Sequence, residues 1–188
     1  MKPKHGNGMR VLEYAGESGL MSPEARKRMI PQGLMSFESY KEAHANTVIA
    51  CHDVMIQYDG GALLVKREGV PCKGMLWPVG GRISRGLSME DSLRQKAKEE
   101  CGLELSDLAF LDVTRVLLEE DPLGHGKGTD TIGFRYFAVG KGKIDLNHLH
   151  SDPVIIPPRD INADRMKAMG LHIYVADYLT MCLPYLKR

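Results

Sequence analysis

Residues 80–105 read GGRISRGLSMEDSLRQKAKEECGLEL: a diglycine, a serine, a spaced set of apolar residues, two adjacent glutamates and a lone glycine. Ser88 and Asp91 have the spacing of a capping box, in which the serine hydroxyl accepts the N–H three residues on. Met89, Leu93, Ala97 and Cys101 recur every fourth residue, and Gly102 suits the left-handed end of a helix. The pattern predicts one helix over 89–101 with an apolar stripe on the core. Lys96 and Glu100 lie one turn apart beside that stripe, as do Gln95 and Glu99. A ligand resting on this flank meets both carboxylates; the plain alternative is a solvated helix face after an ordinary turn.

Upstream, NTVIACHDVMIQY (46–58) and ALLVKR (62–67) are apolar, partly β-branched runs joined by DGG, a good hairpin turn because aspartate and glycine tolerate positive φ. Downstream, AFLDVTRVLLEE (109–120) and TIGFRYFAVG (131–140) read as two more strands around the polar loop DPLGHGKGTD. VIIPP (154–158) is either a short edge strand or an extended connector, since proline cannot donate to a ladder. The final stretch, 170–188, spaces its apolar residues for a helix packed on the body.

Ahead of the strands, SPEARKRMI (22–30) and SFESYKEAHA (36–45) predict two short entry helices, the first with a serine cap and a proline at its first position. Residues 1–20 are glycine-rich and weakly patterned, either a loose arm or a short strand laid on the domain. The chain therefore divides into an N-terminal arm with a short helix, 1–36, and one domain with a C-terminal helix, 37–188.

With 188 residues, 43% of them hydrophobic, the chain is long enough for one sizeable core. Its 25 basic and 24 acidic residues leave a net charge of +1, so charge gives no ground for nucleic-acid or membrane binding, and a small-molecule substrate is the class left open. No segment has the length and apolarity of a signal peptide or membrane span. Four cysteines stand at 51, 72, 101 and 182 with neither zinc-site spacing nor C-x-x-C pairing, which predicts free thiols and a cytoplasmic location. A homodimer is compatible with the sequence.

The chemistry resides in the first stretch. Magnesium prefers carboxylate and carbonyl oxygens and commonly holds substrate phosphates as well. Glu99 and Glu100 offer the carboxylates, and Gly80 and Gly81 let the backbone bend tightly and expose a carbonyl to the same ion. On these residues the stretch resembles the signature of the Nudix hydrolases, G-x5-E-x7-R-E-U-x-E-E-x-G-U with U apolar. Gly81, Ala97, Glu99, Glu100, Gly102 and Leu103 fix the register. Leu87, Gln95 and Lys96 depart from it at a glutamate, the arginine and the next glutamate, and Val79 stands where a proline is usual. ALLVKREGVPCKGMLWPVGGR also looks like the family's approach to its box. The resemblance implies a Nudix α/β/α sandwich with a mixed sheet.

Within that family the chain is most similar to the GDP-mannose mannosyl hydrolases, whose box is also incomplete, through SFESYKEAHANTVIACHDVMIQ, GGR and GTDTIGFRYFAV. The resemblance implies that Glu100 and Gly81 seat magnesium, with manganese as an alternative, that Arg67 neutralises a departing diphosphate, and that a late-loop histidine is the base. His150 is favoured for that role and His148 competes. Glu99 is a further metal candidate. Lys96 either pairs with Glu100 and competes with the cation or contacts a substrate phosphate. Trp77 either stacks on substrate or packs on the core, and Asp130, with Glu119, Glu120, Asp121 and His125 nearby, sits in a loop suited to substrate contacts. Glu100 is expected to be open to solvent. The implied activity is magnesium-dependent hydrolysis of a nucleoside diphosphate linked to another moiety, a nucleotide sugar above others, with attack at phosphorus or at the sugar carbon. The alternative is a Nudix-like nucleotide-binding module that has lost catalysis.

Overall fold

The structure, a computed structural model, describes residues 22–31, 33 and 35–186; the expected arm over 1–20 lies outside them. Two entry helices come first, α1 (Pro23–Met29) and α2 (Phe37–Asn46), capped by the hydroxyls of Ser22 and Ser36. Strands β1 (Ile49–Tyr58) and β2 (Gly61–Arg67) form the antiparallel hairpin expected around DGG. Next come β3 (Leu76–Trp77), β4 (Val79–Arg82), α3 (Met89–Cys101), β5 (Glu104–Leu118), β6 (Thr129–Lys141) and β7 (His150–Ile156). A short 3-10 turn over Pro158–Asp160 leads to α4 (Ala163–Ala168) and α5 (Ile173–Leu186).

The strands build one mixed seven-stranded sheet, with β1 parallel to β6 and the other pairs antiparallel. Alternation along the strands divides the core in two. Val54, Ile56, Leu63 and Val65 point to one face, where Leu93, Ala97 and Cys101 of α3 cover them. Met55, Ala62 and Leu64 point to the other, under Val175, Tyr178, Leu179 and Cys182 of α5. Each fully buried Leu or Val here contributes roughly 1.5–3 kcal/mol of transfer free energy. The result is the expected α/β/α sandwich.

A fork in this sheet creates the site. β1 pairs with β2 only over Ile56–Tyr58; nearer its start, Cys51–Val54 pair with β4 instead. β2 meanwhile turns its far end to β3, at Val65 and Lys66. Pro78 falls where the chain crosses from one strand to the other, and lacking an N–H it can belong to neither ladder. β7 covers the outer edge of β2 and sets Arg67 opposite His150. VIIPP is thus the end of an edge strand, with its prolines beyond it.

Candidate active site

α3 begins and ends where the sequence placed it. Ser88 Oγ accepts the Asp91 N–H at 3.0 Å, and Gly102 closes the helix at φ 74°. Its last turn delivers Glu100 to the diglycine. That diglycine is not the tight bend expected but part of β4, with Gly80 opposite Asp53 and Gly81 opposite His52. Glycine at 80 is required by proximity, because a Cβ there would fall 2.5 Å from the His52 carbonyl oxygen. At 81 it is required by conformation, φ +147°.

Glu100 is not open to solvent; it is 6% exposed. One carboxylate oxygen accepts the Gly80 N–H at 3.2 Å and the other faces the Lys96 ammonium at 3.9 Å. Burial pushes this carboxyl up to about 7, against the opposing pull of Lys96, the Gly80 N–H and Arg67. His150 Nε2 stands 3.8 Å from the same carboxylate. Asn147 Oδ1 lies 3.0 Å from His150 Nδ1, so the ring donates there and leaves Nε2 unprotonated in the neutral form. Burial lowers the pKa of His150, and the Arg67 and Lys96 charges lower it further. His148 is exposed and makes no such contact. Arg67, held by a 2.8 Å bond from Nε to the Pro71 carbonyl, completes a cluster with Glu100 and His150.

A cavity of about 350 Å³ adjoins the cluster on the α5 side of the sheet, within the size range of small-molecule sites. Arg67, Trp77, Gly80 and Gly81 line its inner end, with Asp53 and Tyr174. Ile49, Val116, Leu118, Pro122 and Leu123 make the outer end apolar, beside Tyr40 and His44. Trp77 stacks on Tyr174 with ring centroids 5.1 Å apart and is almost wholly buried, so it packs and lines the cavity at once.

Arg67, Trp77 and Gly81 line the cavity; Glu100 and His150 stand behind the diglycine and do not, and neither do Glu99, Lys96 and Asp130. Glu99 has a half-exposed side chain bonded to Gln95 Nε2 at 2.7 Å and sits 3.8 Å from Lys96. Lys96 lies between the two glutamates, its methylenes beside Gly81. Asp130 forms a two-point pair with Arg115, at 3.0 and 2.8 Å; the guanidinium satisfies both its oxygens. Asp130 is thus a residue of β6, opposite Leu117, and not of the loop expected; in the loop before that strand Glu120 accepts the Cys72 N–H at 2.6 Å.

Two cavity residues were missed by the sequence reading. Asp53 is half-buried on β1, and Tyr174 donates its hydroxyl to it from α5. Burial pushes Asp53 up to about 6, opposed by the Tyr174 bond, Arg67 and Arg135. Arg82 lines the outer end, its guanidinium carbon 3.8 Å above the Tyr40 ring centroid in a cation–π contact. An arginine following the diglycine was the available signal; Asp53 offered none beyond its place in a strand.

The residues meet only the modest demands of a magnesium site. Among the described residues no three acidic, histidine or cysteine side chains converge for a metal. Glu100 supplies one carboxylate beside the unshielded Gly81 backbone, and magnesium is often held by one or two carboxylates with substrate phosphates and water filling the rest. The set fits an ion brought to the protein together with a phosphate chain.

Fold and site together define a Nudix-type hydrolase. The chain belongs to the Nudix family: the NUDIX domain matches residues 50–173. It is similar to the low-salt glycan biosynthesis protein Agl8 of Haloferax volcanii, 32% identical over 140 residues that cover 72% of this chain and 82% of that protein. Its fold resembles that of a MutT NUDIX hydrolase from Burkholderia pseudomallei, with a TM-score of 0.58, 19% identity and coverage of 72% and 98% of the two chains. It also resembles the NUDIX domain of Shewanella oneidensis NrtR in complex with ADP ribose, with a TM-score of 0.58, 16% identity and coverage of 81% and 99%. Among the described residues, no helix is long and apolar enough to cross a membrane.

Proposed function

We propose that this chain is a magnesium-dependent hydrolase of a nucleoside diphosphate linked to a sugar, of the kind the GDP-mannose mannosyl hydrolases represent. The convergence of Glu100, Arg67 and His150 beside the diglycine carries the reading. Arg67 at the inner end and Arg82 beside Tyr40 give the cavity two guanidinium groups to receive a diphosphate. His150 Nε2, held free of its proton by the Nδ1 bond to Asn147, accepts the proton of the attacking water. Arg67 meets the charge that grows on the departing diphosphate. Glu100, with the Gly81 carbonyl, would hold the cation, and Glu99 would serve as an outer carboxylate. Magnesium, when bound, neutralises phosphate charge and so favours departure of the diphosphate. The glycan-related name of the Haloferax volcanii relative supports a sugar-linked substrate, and four free cysteines suit a cytoplasmic location.

A second reading, a nucleotide-binding module without turnover, is favoured by Lys96, whose ammonium faces the one buried carboxylate that a metal needs. That the NrtR NUDIX domain is described with ADP ribose fits it too. Hydrolysis assays on nucleotide sugars, with magnesium and then with EDTA, separate the two. The proposal expects turnover that requires magnesium and vanishes in Glu100→Gln. Thermal stabilisation by a nucleotide with no turnover across the panel leaves the binding module standing.

A further inference from the structure

The outer end of the cavity contains a hydrogen-bonded relay that the chemistry above does not use. His44, on the last turns of α2, is 7% exposed, and its Nδ1 lies 2.7 Å from His125 Nε2 in the β5–β6 loop. The backbone fixes which nitrogen carries each proton. Lys127 donates its N–H to His125 Nδ1 at 3.1 Å, so the neutral His125 ring carries its proton on Nε2. That proton goes to His44 Nδ1, with the Asp121 carboxylate 3.3 Å from the same nitrogen. Asp121 is itself anchored by the N–H groups of Leu123, Gly124 and Gly126. A neutral His44 that accepts at Nδ1 must carry its proton on Nε2. Burial, followed by the adjacent His125, lowers the His44 pKa and keeps the ring neutral. Its Nε2 has no hydrogen-bond partner among the described residues, and the ring lines the cavity. A second tie, Lys127 Nζ to Asn46 Oδ1 at 2.8 Å, holds the loop to α2.

We propose that His44 is a specificity-determining residue: its Nε2–H donates to an acceptor atom on the nucleobase, and Asp121 and His125 are positioning residues that hold it in that tautomer. This subsite rests on the nucleotide reading above. The surroundings choose the base over the sugar. Ile49, Val116, Leu118, Pro122 and Leu123 form apolar walls suited to a flat ring and ill suited to a polyol, with Arg67 at the other end beside Trp77 and Gly80 and with Arg82 next to Tyr40, within reach of a phosphate attached to that ring. A buried donor discriminates strongly because a base without an acceptor at that point leaves it unpaired.

Calorimetric titration of the full chain, in magnesium, with GDP, UDP, ADP, CDP and inorganic pyrophosphate tests the subsite. The expected result is a preference for one or two bases at least fivefold over the others. His44→Phe, which keeps a ring and removes the donor, should abolish that preference and weaken the favoured nucleotide about tenfold. His44→Gln, whose amide nitrogen replaces Nε2, should keep the rank order within threefold, and His125→Phe should fall between them. Pyrophosphate, which has no base, should change less than twofold in every variant. Unaltered base preference in His44→Phe overturns the inference and leaves the nucleotide reading intact. Equal losses for pyrophosphate and nucleotides overturn it too, because His44 then acts only through the fold. Failure of every nucleotide to bind the wild-type chain overturns the nucleotide reading and the subsite with it.

Discussion

Replacing Glu100 by glutamine measures what the fold imposes on this carboxyl. Burial pushes it up to about 7 in the folded chain, whereas in the unfolded chain it ionises as an ordinary glutamate, near pH 4.3. Between these values the folded state holds a proton that the unfolded state has released. The stability tied to this group is therefore whole below about pH 4.3, falls as pH rises, and is fully lost above about pH 7. At about 1.4 kcal/mol per pH unit the loss approaches ~4 kcal/mol. Glutamine carries no charge to bury and keeps an oxygen for the Gly80 N–H, but its amide nitrogen must face the Lys96 ammonium. The net gain at pH 8.5 is then about 1–2 kcal/mol. For a domain of this size 1 kcal/mol moves Tm by about 2–4 °C, so the variant should melt roughly 3–6 °C above the wild type at pH 8.5. Near pH 5, where the wild type recovers about 2–3 kcal/mol of that loss, the gap should close and turn slightly in favour of the wild type. Thermal unfolding followed by circular dichroism in EDTA reads both values, and a gap that fails to widen between the two pH values refutes the burial argument.

Lys96→Glu should tighten manganese binding if Lys96 only neutralises Glu100, and should weaken binding of a nucleoside diphosphate if its ammonium also meets phosphate; separate titrations of metal and nucleotide distinguish the two. Arg67→Ala should lower kcat about 100-fold with a smaller change in KM, measured by steady-state kinetics, because its charge is needed most as the diphosphate leaves. Tyr174→Phe removes the hydroxyl that serves half-buried Asp53, and denaturant unfolding at pH 8 should show a loss of about 1–3 kcal/mol.

The parts of this molecule that depend on neighbours in sequence were legible before folding. Ser88 and Gly102 bracket α3 because caps act within one turn, and DGG makes the β1–β2 hairpin because two strands need only a turn between them. The burial of Glu100 was not legible, since Glu99 beside it has the same chemistry and only the packing of α3 against β4 separates an inward carboxylate from an outward one. VGGR gave no sign of being a strand because its partner, Cys51–Val54, lies about thirty residues earlier and its glycines have no β preference. Asp53 meets Tyr174 across 121 positions, and His44 meets His125 across 81. Such pairs are products of topology, and no local spacing announces them.

We propose that His150, rather than a glutamate of the box, takes the proton from water, and that this water attacks the sugar carbon while the diphosphate leaves intact. Mass spectrometry of products formed from nucleotide sugars in oxygen-18 water tests it most directly. The account predicts label on the released sugar, none on the nucleoside diphosphate, and a large fall in rate for His150→Gln. Label on a phosphate, with His150→Gln turning over at nearly the wild-type rate, contradicts it.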